Sequence, residues 1–305
     1  MKKVLLCLLV LAMGVMAQAD LRLFYDFEGG SAGDPTVADK SAYGNDATRS
    51  YAGWGAPYDV LPQYVPSHDG STAMQFGYTD EGVWGANGAY NHLNVGSGYI
   101  DSLGNLGGGF AMAFWARQDQ SGDSPWFYET SYYYGPAYAR VISCPNYEIE
   151  LGAGDIGDSA SYFWPYGVDP GYGDPTSWQM GMATNPEDAW FHMAITYDGT
   201  TFTQYINGIP VFSNSSLVPF DQSPWTGDND WITMKIGAQC TPDKSWMIGL
   251  LDDVAIWGNC YLDADAVAGL YDGTYTPLTA PTTAPEPASL ALLALGGILL
   301  RKRSY

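Results

Sequence analysis

Trp190-Phe191-His192-Met193-Ala194-Ile195-Thr196-Tyr197-Asp198-Gly199 is the stretch whose pattern sets the fold. Phe191, Met193, Ile195 and Tyr197 alternate with Trp190, His192, Ala194 and Thr196, and a period of two puts the two sets on opposite faces of a strand. Asp198-Gly199 turns the chain, and Phe202-Thr203-Gln204-Tyr205-Ile206 brings it back. Asn207-Gly208 then precedes Ile209-Pro210-Val211-Phe212, a two-residue hairpin signal because both turn positions tolerate positive φ. Two hairpins in succession make an antiparallel meander.

Working outward, Phe110 to Arg117 is an apolar run bounded by Gly108-Gly109, as expected of a strand buried inside a sandwich. Ile248 to Trp257 reads as another strand, and Leu23-Phe24-Tyr25-Asp26-Phe27 opens the chain with strand composition before breaking at Glu28-Gly29-Gly30. Near the end Asp263 is an N-cap for a helix over Ala264 to Tyr271, with Val267, Leu270 and Tyr271 on its apolar stripe and Gly273 as terminator. The pattern predicts an all-β chain: a two-sheet antiparallel jelly-roll sandwich with one short C-terminal helix.

These pieces resemble, in order, the LamG-like branch of the concanavalin A-like lectin/glucanase superfamily. Tyr25-Asp26-Phe27-Glu28-Gly29, with Asp39-Lys40-Ser41-Ala42-Tyr43-Gly44-Asn45-Asp46-Ala47, is similar to the family's opening Y-x-F-D-G and D-x-S-G-x-G-N stretch. Phe110 to Arg117 is similar to its F-T-x-x-F-W-x-[KR] strand, and Trp190 to Gly208 to its W-x-H…Y-D-G…Y-V-N-G meander. Gly249 to Trp257, followed by Leu270-Tyr271, is similar to its G-x-I-D-E-V-x-I-Y…L-Y ending. Residues 118 to 189 match the pattern poorly.

Both ends carry targeting signals. Lys2-Lys3, the apolar segment Val4 to Val15 and Ala17-Gln18-Ala19 form a secretory signal peptide over residues 1–19, with cleavage expected before Asp20. At the other end Pro285-Glu286-Pro287, an apolar run and Arg301-Lys302-Arg303 resemble the PEP-CTERM sorting tail of bacteria, over residues 285–305. That resemblance implies an exosortase as partner and delivery to the cell surface, the envelope or the extracellular polysaccharide matrix. The thirteen residues Ala288 to Leu300 give roughly 20 Å of helix against a hydrocarbon core of about 30 Å, so a transmembrane helix here is a transient contact and not a permanent anchor. Between the domain (20–273) and the tail, residues 274–284 have the Thr/Pro composition of a linker.

Without the two ends the chain keeps seven Lys and Arg against thirty-two Asp and Glu, a net charge of about −25. Nucleic acid is thereby excluded as a partner, since neutralising phosphates requires clustered basic residues. Three cysteines remain, Cys144, Cys240 and Cys260; Cys240 with Cys260 closes the shorter loop and is the preferred disulfide, the alternative being three separate buried thiols.

The resemblance implies a structural Ca2+ tying the first strand and its loop to the last strand through Glu28, Asp39, Asn45 and Asp252, with Glu28 standing where the family has an aspartate. The alternative has Asp39 capping a turn, Asn45 in a left-handed conformation and Asp252 holding loop amides. Aromatic residues crowd the middle of the chain, and Trp126, Tyr133, Trp164 and Tyr166 are candidates for stacking on a polysaccharide or glycoconjugate; the alternative is that these rings pack on one another. Glu148-Ile149-Glu150-Leu151-Gly152-Ala153 begins like the E-x-D-x-x-E motif of glycoside hydrolases but lacks its last acid. His68, His92 and His192 are scattered with no metal-binding spacing. The expectation is a non-catalytic exported module binding carbohydrate, with a structural or adhesive matrix protein as the alternative and a glycoside hydrolase behind both.

Overall fold

A computed structural model describes residues 20–51, 60–77, 91–96, 101–118, 139–144, 146–151, 160–165, 180–184, 186, 189–215, 233–238, 240 and 247–284. Residues 1–19 and 285–305, expected as leader and sorting tail and including Pro285, Glu286 and Pro287, lie outside the described residues, as do Trp126, Tyr133 and Tyr166. Among the described residues no helix is long and apolar enough to cross a membrane.

The alternation around Trp190 becomes β12 (Phe191–Tyr197), with β13 (Phe202–Ile206) and β14 (Ile209–Asn214) completing the meander. The Asn207-Gly208 turn has φ of 50° and 76°, the left-handed values that the hairpin requires. Asn207 also ties the turn back to β12, its N–H donating to the His192 carbonyl at 2.8 Å and its Oδ1 accepting from the His192 N–H at 2.9 Å.

The two long apolar strands, β7 (Phe110–Gln118) and β16 (Gly249–Gly258), lie side by side in the middle of this sheet. Its order is β14-β13-β12-β7-β16-β5-β4, with β4 at Gln63–Pro66, β5 at Thr72–Phe76, and β1 (Leu21–Tyr25) also paired to β16. The second sheet runs from β2 (Thr36–Val37) and β3 (Ala47–Tyr51) through β6 (Asn91–Val95) and β15 (Met234–Ile236). It continues through β8 (Ala139–Cys144), β9 (Tyr147–Leu151) and β10 (Ala160–Pro165) to β11 (Met180–Thr184). All these pairings are antiparallel.

Phe191, Met193, Ile195 and Tyr197 enter the core between the sheets, as the alternation predicts. Phe163 of the second sheet sits there against Phe110 and Phe202 of the first, with ring centroids 5.7 and 5.3 Å apart. The opposite face of β12 is not left to water. Ala111, Ala113, Ala194 and Ala255 make a shallow floor on which α2 (Ala264–Tyr271) sets Val267 and Leu270, with fully buried Trp257 beside them. Each large apolar side chain so buried contributes about 2 kcal/mol. The expected N-cap is formed, Asp263 Oδ1 accepting from the Ala266 N–H at 2.9 Å, and Gly273 has φ 79°.

Two departures from expectation follow from burial. A second helical turn, α1 (Asp101–Gly104), accompanies the predicted helix; too short for a periodic signal, it buries Leu103. Residues 274–284, expected as a linker, pack against the body instead: Tyr275 lies over Gly269, Ala280 is buried, and Thr283 forms an antiparallel bridge with Tyr261.

Gly249 (φ 147°) pairs with Gln118, and a methyl group there would fall on the Arg117 carbonyl. Gly249→Ala is expected to cost about 2–3 kcal/mol and to lower the thermal midpoint by about 5 °C or more, read by calorimetry. His92, 6% exposed, has its imidazole pushed down to about 3, first by burial and then by the charge of Lys235. The folded state therefore binds fewer protons than the unfolded chain between pH 6.5 and 3, so stability falls as pH drops through that window. In urea titrations His92→Asn should show a flatter decline from pH 6.5 to 4 than the wild type.

Candidate functional site

The four expected calcium ligands are not gathered into one cluster. Asp39 anchors the loop after β1: its Oδ1 accepts from the N–H groups of Phe24 (2.9 Å) and Ser41 (2.8 Å), and its Oδ2 from Ser41 Oγ (2.6 Å) and the Asn45 N–H (2.8 Å). With four donors on two oxygens, this carboxylate is committed to holding the turn. Asn45 is buried and its amide donates to the Arg22 carbonyl at 2.9 Å, while the left-handed position beside it belongs to Gly44. Glu28 Oε1 accepts from the Thr72 N–H at 2.6 Å, pinning the loop to the start of β5. Asp252, on β16, accepts from Ser71 while Glu28 accepts from the adjacent Thr72, so these two meet the same turn; Glu28, Asp39 and Asp252 do not come together as one ligand group.

A different group comes together on the outer face of the first sheet, beside α2. Cross-strand register places Asp252 of β16, Trp115 of β7 and His192 of β12 in one row. Over that row lies the β4–β5 turn, Ser67-His68-Asp69-Gly70-Ser71, with Gly70 at φ 89°. His68 stacks on Trp115 with centroids 4.0 Å apart and also approaches Trp190 at 5.4 Å. Trp115 in turn meets His192 at 5.3 Å and Tyr271 at 5.7 Å. Trp115 and Trp190 are half-buried, His68 is exposed and Tyr271 is 40% exposed, so the edge of this aromatic cluster reaches solvent.

The carboxylates at this place are unusual. Asp252 is 2% exposed, accepts from Ser71 Oγ at 3.1 Å and from the Asp253 N–H at 2.8 Å, and burial pushes its carboxyl up to about 6. Asp253 has φ 50° in a bulge where the pairing with β7 slips between Asp252 and Ala255. Burial, then the charges of Asp252, Asp26, Asp69 and Glu28, push it up to about 7. His192, buried at the other end of the row, is lowered to about 3 by burial and by His68.

The second sheet holds the Glu-x-Glu segment. Glu148 and Glu150 stand on the opposite face of β9 from the core residues Tyr147, Ile149 and Leu151, and both are fully buried. Arg140 of β8 pairs with both, meeting Glu148 Oε2 at 2.6 Å; Ser143 Oγ donates to Glu148 Oε1 at 2.6 Å. Trp164 pairs with Glu148 in the backbone register of β10 and β9.

All three cysteines are buried free thiols, so the expected Cys240–Cys260 bridge is not formed. The packing explains it. Cys240 lies beside Cys144 and Ser143, whose Oγ accepts from its N–H at 2.8 Å, whereas Cys260 belongs to the cluster under α2. Burial raises the thiols of Cys144 and Cys240, the latter to about 11, which leaves them poor nucleophiles.

Because Asp39 works through hydrogen bonds, Asp39→Ala should cost about 2–4 kcal/mol in denaturant unfolding. The loss should be equal in calcium and in chelator; a loss seen only in calcium would make Asp39 a ligand.

Residues 87–268, more than half of the chain, match the family model Laminin_G_3, described as the concanavalin A-like lectin/glucanases superfamily. No curated protein matches. Among solved structures, domain 4 of a GH43 extracellular arabinanase from Geobacillus stearothermophilus, in complex with arabinotriose, is 19% identical over 83% of this chain and 99% of that one, with a TM-score of 0.49. A botulinum neurotoxin type C structure, concerned with the interaction of that toxin with two ganglioside molecules, is 14% identical over 84% of this chain and 51% of that one, with a TM-score of 0.50. The binding domain of botulinum neurotoxin DC in complex with SialylT is 13% identical over 84% of this chain and 51% of that one, with a TM-score of 0.47. The chain thus spans about half the length of these neurotoxin chains. Its two antiparallel sheets and the family match agree: this chain belongs to the concanavalin A-like lectin/glucanase superfamily.

Proposed function

We propose that this chain is an exported, non-catalytic carbohydrate-binding protein of the cell surface or extracellular polysaccharide matrix. The observation that carries the reading is the aromatic and carboxylate patch on the outer face of this lectin-type sandwich: His68, Trp115, Trp190 and Tyr271 beside Asp69 and Asp252. Ring faces and edges at a solvent boundary take up the C–H faces of a pyranose, and the exposed carboxylate of Asp69 accepts its hydroxyls. Trp126, Tyr133, Trp164 and Tyr166 offer further rings for the same chemistry. The net negative charge favours neutral or cationic glycans over polyanionic ones.

Binding without hydrolysis is supported by the state of the Glu-x-Glu segment. A glycosidase needs one carboxyl free to give up a proton to the leaving group. Glu148 is instead clamped between Arg140 and Ser143, Glu150 is held by the same arginine, and Ala153 stands where the motif's last acid would be. Export, sorting by an exosortase and the transient membrane contact rest on the sequence of the two ends.

Affinity electrophoresis through gels containing neutral polysaccharides tests the reading. Trp190→Ala is expected to weaken retention about tenfold, the scale of one lost ring contact, with an unchanged unfolding midpoint. Trp126→Ala and Trp164→Ala measure the share carried by the other rings. Unaltered retention in all three would remove the aromatic contact from the account, and release of reducing sugar that Glu148→Gln abolishes would make the protein a hydrolase.

A further inference from the structure

We infer that His68, Asp69 and Asp252 form a binding site for a divalent transition-metal ion of the zinc type. A ligand atom from each of the three lies within 4.8 Å of the other two, the group of this kind that assembles among the described residues. Ligands of a tetrahedral zinc ion at about 2.0–2.1 Å stand roughly 3.4 Å from one another, so closure requires a movement of about 1 Å. The two residues that must move, His68 and Asp69, are exposed on a turn; Asp252 is the fixed member, buried in the bulge of β16.

The donor set selects the metal class. Calcium takes six to eight oxygens and gains little from an imidazole, whereas one nitrogen and two carboxylate oxygens suit zinc and its neighbours, with a remaining position open to water. The surroundings have the order that a metal's outer shell requires. Ser67 Oγ lies 3.1 Å from His68 Nδ1 and, with the stacked Trp115, fixes the ring's direction. The Ser71 N–H holds Asp69 Oδ1 at 2.9 Å, and the Ser71 hydroxyl holds Asp252 Oδ2 at 3.1 Å.

A second observation points the same way. Asp252 is almost wholly withdrawn from water, yet its hydrogen-bond partners, the hydroxyls of Ser67 and Ser71 and the Asp253 N–H, are all neutral. A buried carboxylate without a cation is costly, and a bound divalent ion relieves that cost. In the same cluster His192 is 3% exposed, and its Nδ1 has no hydrogen-bond partner among the described residues. The inference does not depend on carbohydrate binding, and it shares only Asp252 with the calcium ligands expected from the family resemblance.

The test is equilibrium dialysis of the purified full chain, stripped with chelator, against Zn2+ in excess calcium, which occupies nonspecific carboxylate sites. One zinc per chain is expected, with affinity about 100-fold lower in His68→Ala and about tenfold or more lower in Asp69→Asn. Asp39→Asn, outside the group, should bind as the wild type does. Because His68 and Asp69 are exposed, both variants should keep the wild-type circular dichroism spectrum. Replacing Zn2+ by Co2+ gives a visible absorption band that should vanish in His68→Ala. No stoichiometric zinc in the folded wild type, or zinc held equally by His68→Ala, overturns the proposal.

Discussion

Antiparallel pairing of β16 with β7 is the constraint from which the rest of the structure follows. Along one edge β16 keeps β7 throughout, while along the other it pairs first with β5, through Gly249, Leu250 and Leu251, and then with β1, through Val254 to Trp257. Changing partner in mid-strand requires a local irregularity. It is supplied at Asp252–Asp253, where the pairing slips and Asp253 takes a left-handed φ. One face of β16 fills the inter-sheet core with Leu251, Val254 and Ile256, and the other gives Ala255 and Trp257 to the seat of α2. The same bulge draws acids from β1's loop, the β4–β5 turn and β16 itself to one place, so fold and electrostatics share an origin.

That origin explains which parts were legible in the sequence. The meander around Trp190 to Phe212, the strands at Phe110 and Gly249, and the capped helix after Asp263 are written in local terms: a period of two, a turn tolerant of positive φ, an N-cap. Each was recovered with boundaries shifted by a residue or so. The site depends on register across strands far apart in the chain. His68, Trp115, His192 and Asp252 carry no spacing that marks them as neighbours; the pairing of β12, β7 and β16 makes them so. Asp39 is a different case, since an aspartate in a Gly/Asn/Ser loop has the same sequence signature whether it binds an ion or collects backbone amides, and here it accepts from four donors.

The cysteines show the same limit. Loop length favoured Cys240 with Cys260, but the sandwich separates them, one beside Ser143 of the second sheet and the other beneath α2 on the first. The Glu-x-Glu segment resembles the start of a catalytic strand, and its partner Arg140, on the neighbouring strand, engages both acids. The neighbour of Cys240 lies 97 residues away in sequence, and Arg140 stands across a strand pair, eight residues from Glu148. The charge balance, by contrast, was readable at once and bears on what the surface can attract: a chain so acidic disfavours nucleic acid and other polyanions.

The proposed work of this lectin-type sandwich is to hold carbohydrate. The most direct measurement is a glycan-array screen of the wild-type protein, with its folding checked on the same preparation. Reproducible binding to a restricted set of neutral glycans is expected, with no loss of the bound sugar through hydrolysis. A folded sample that binds nothing on the array would contradict this reading and would leave a structural matrix protein as the better description.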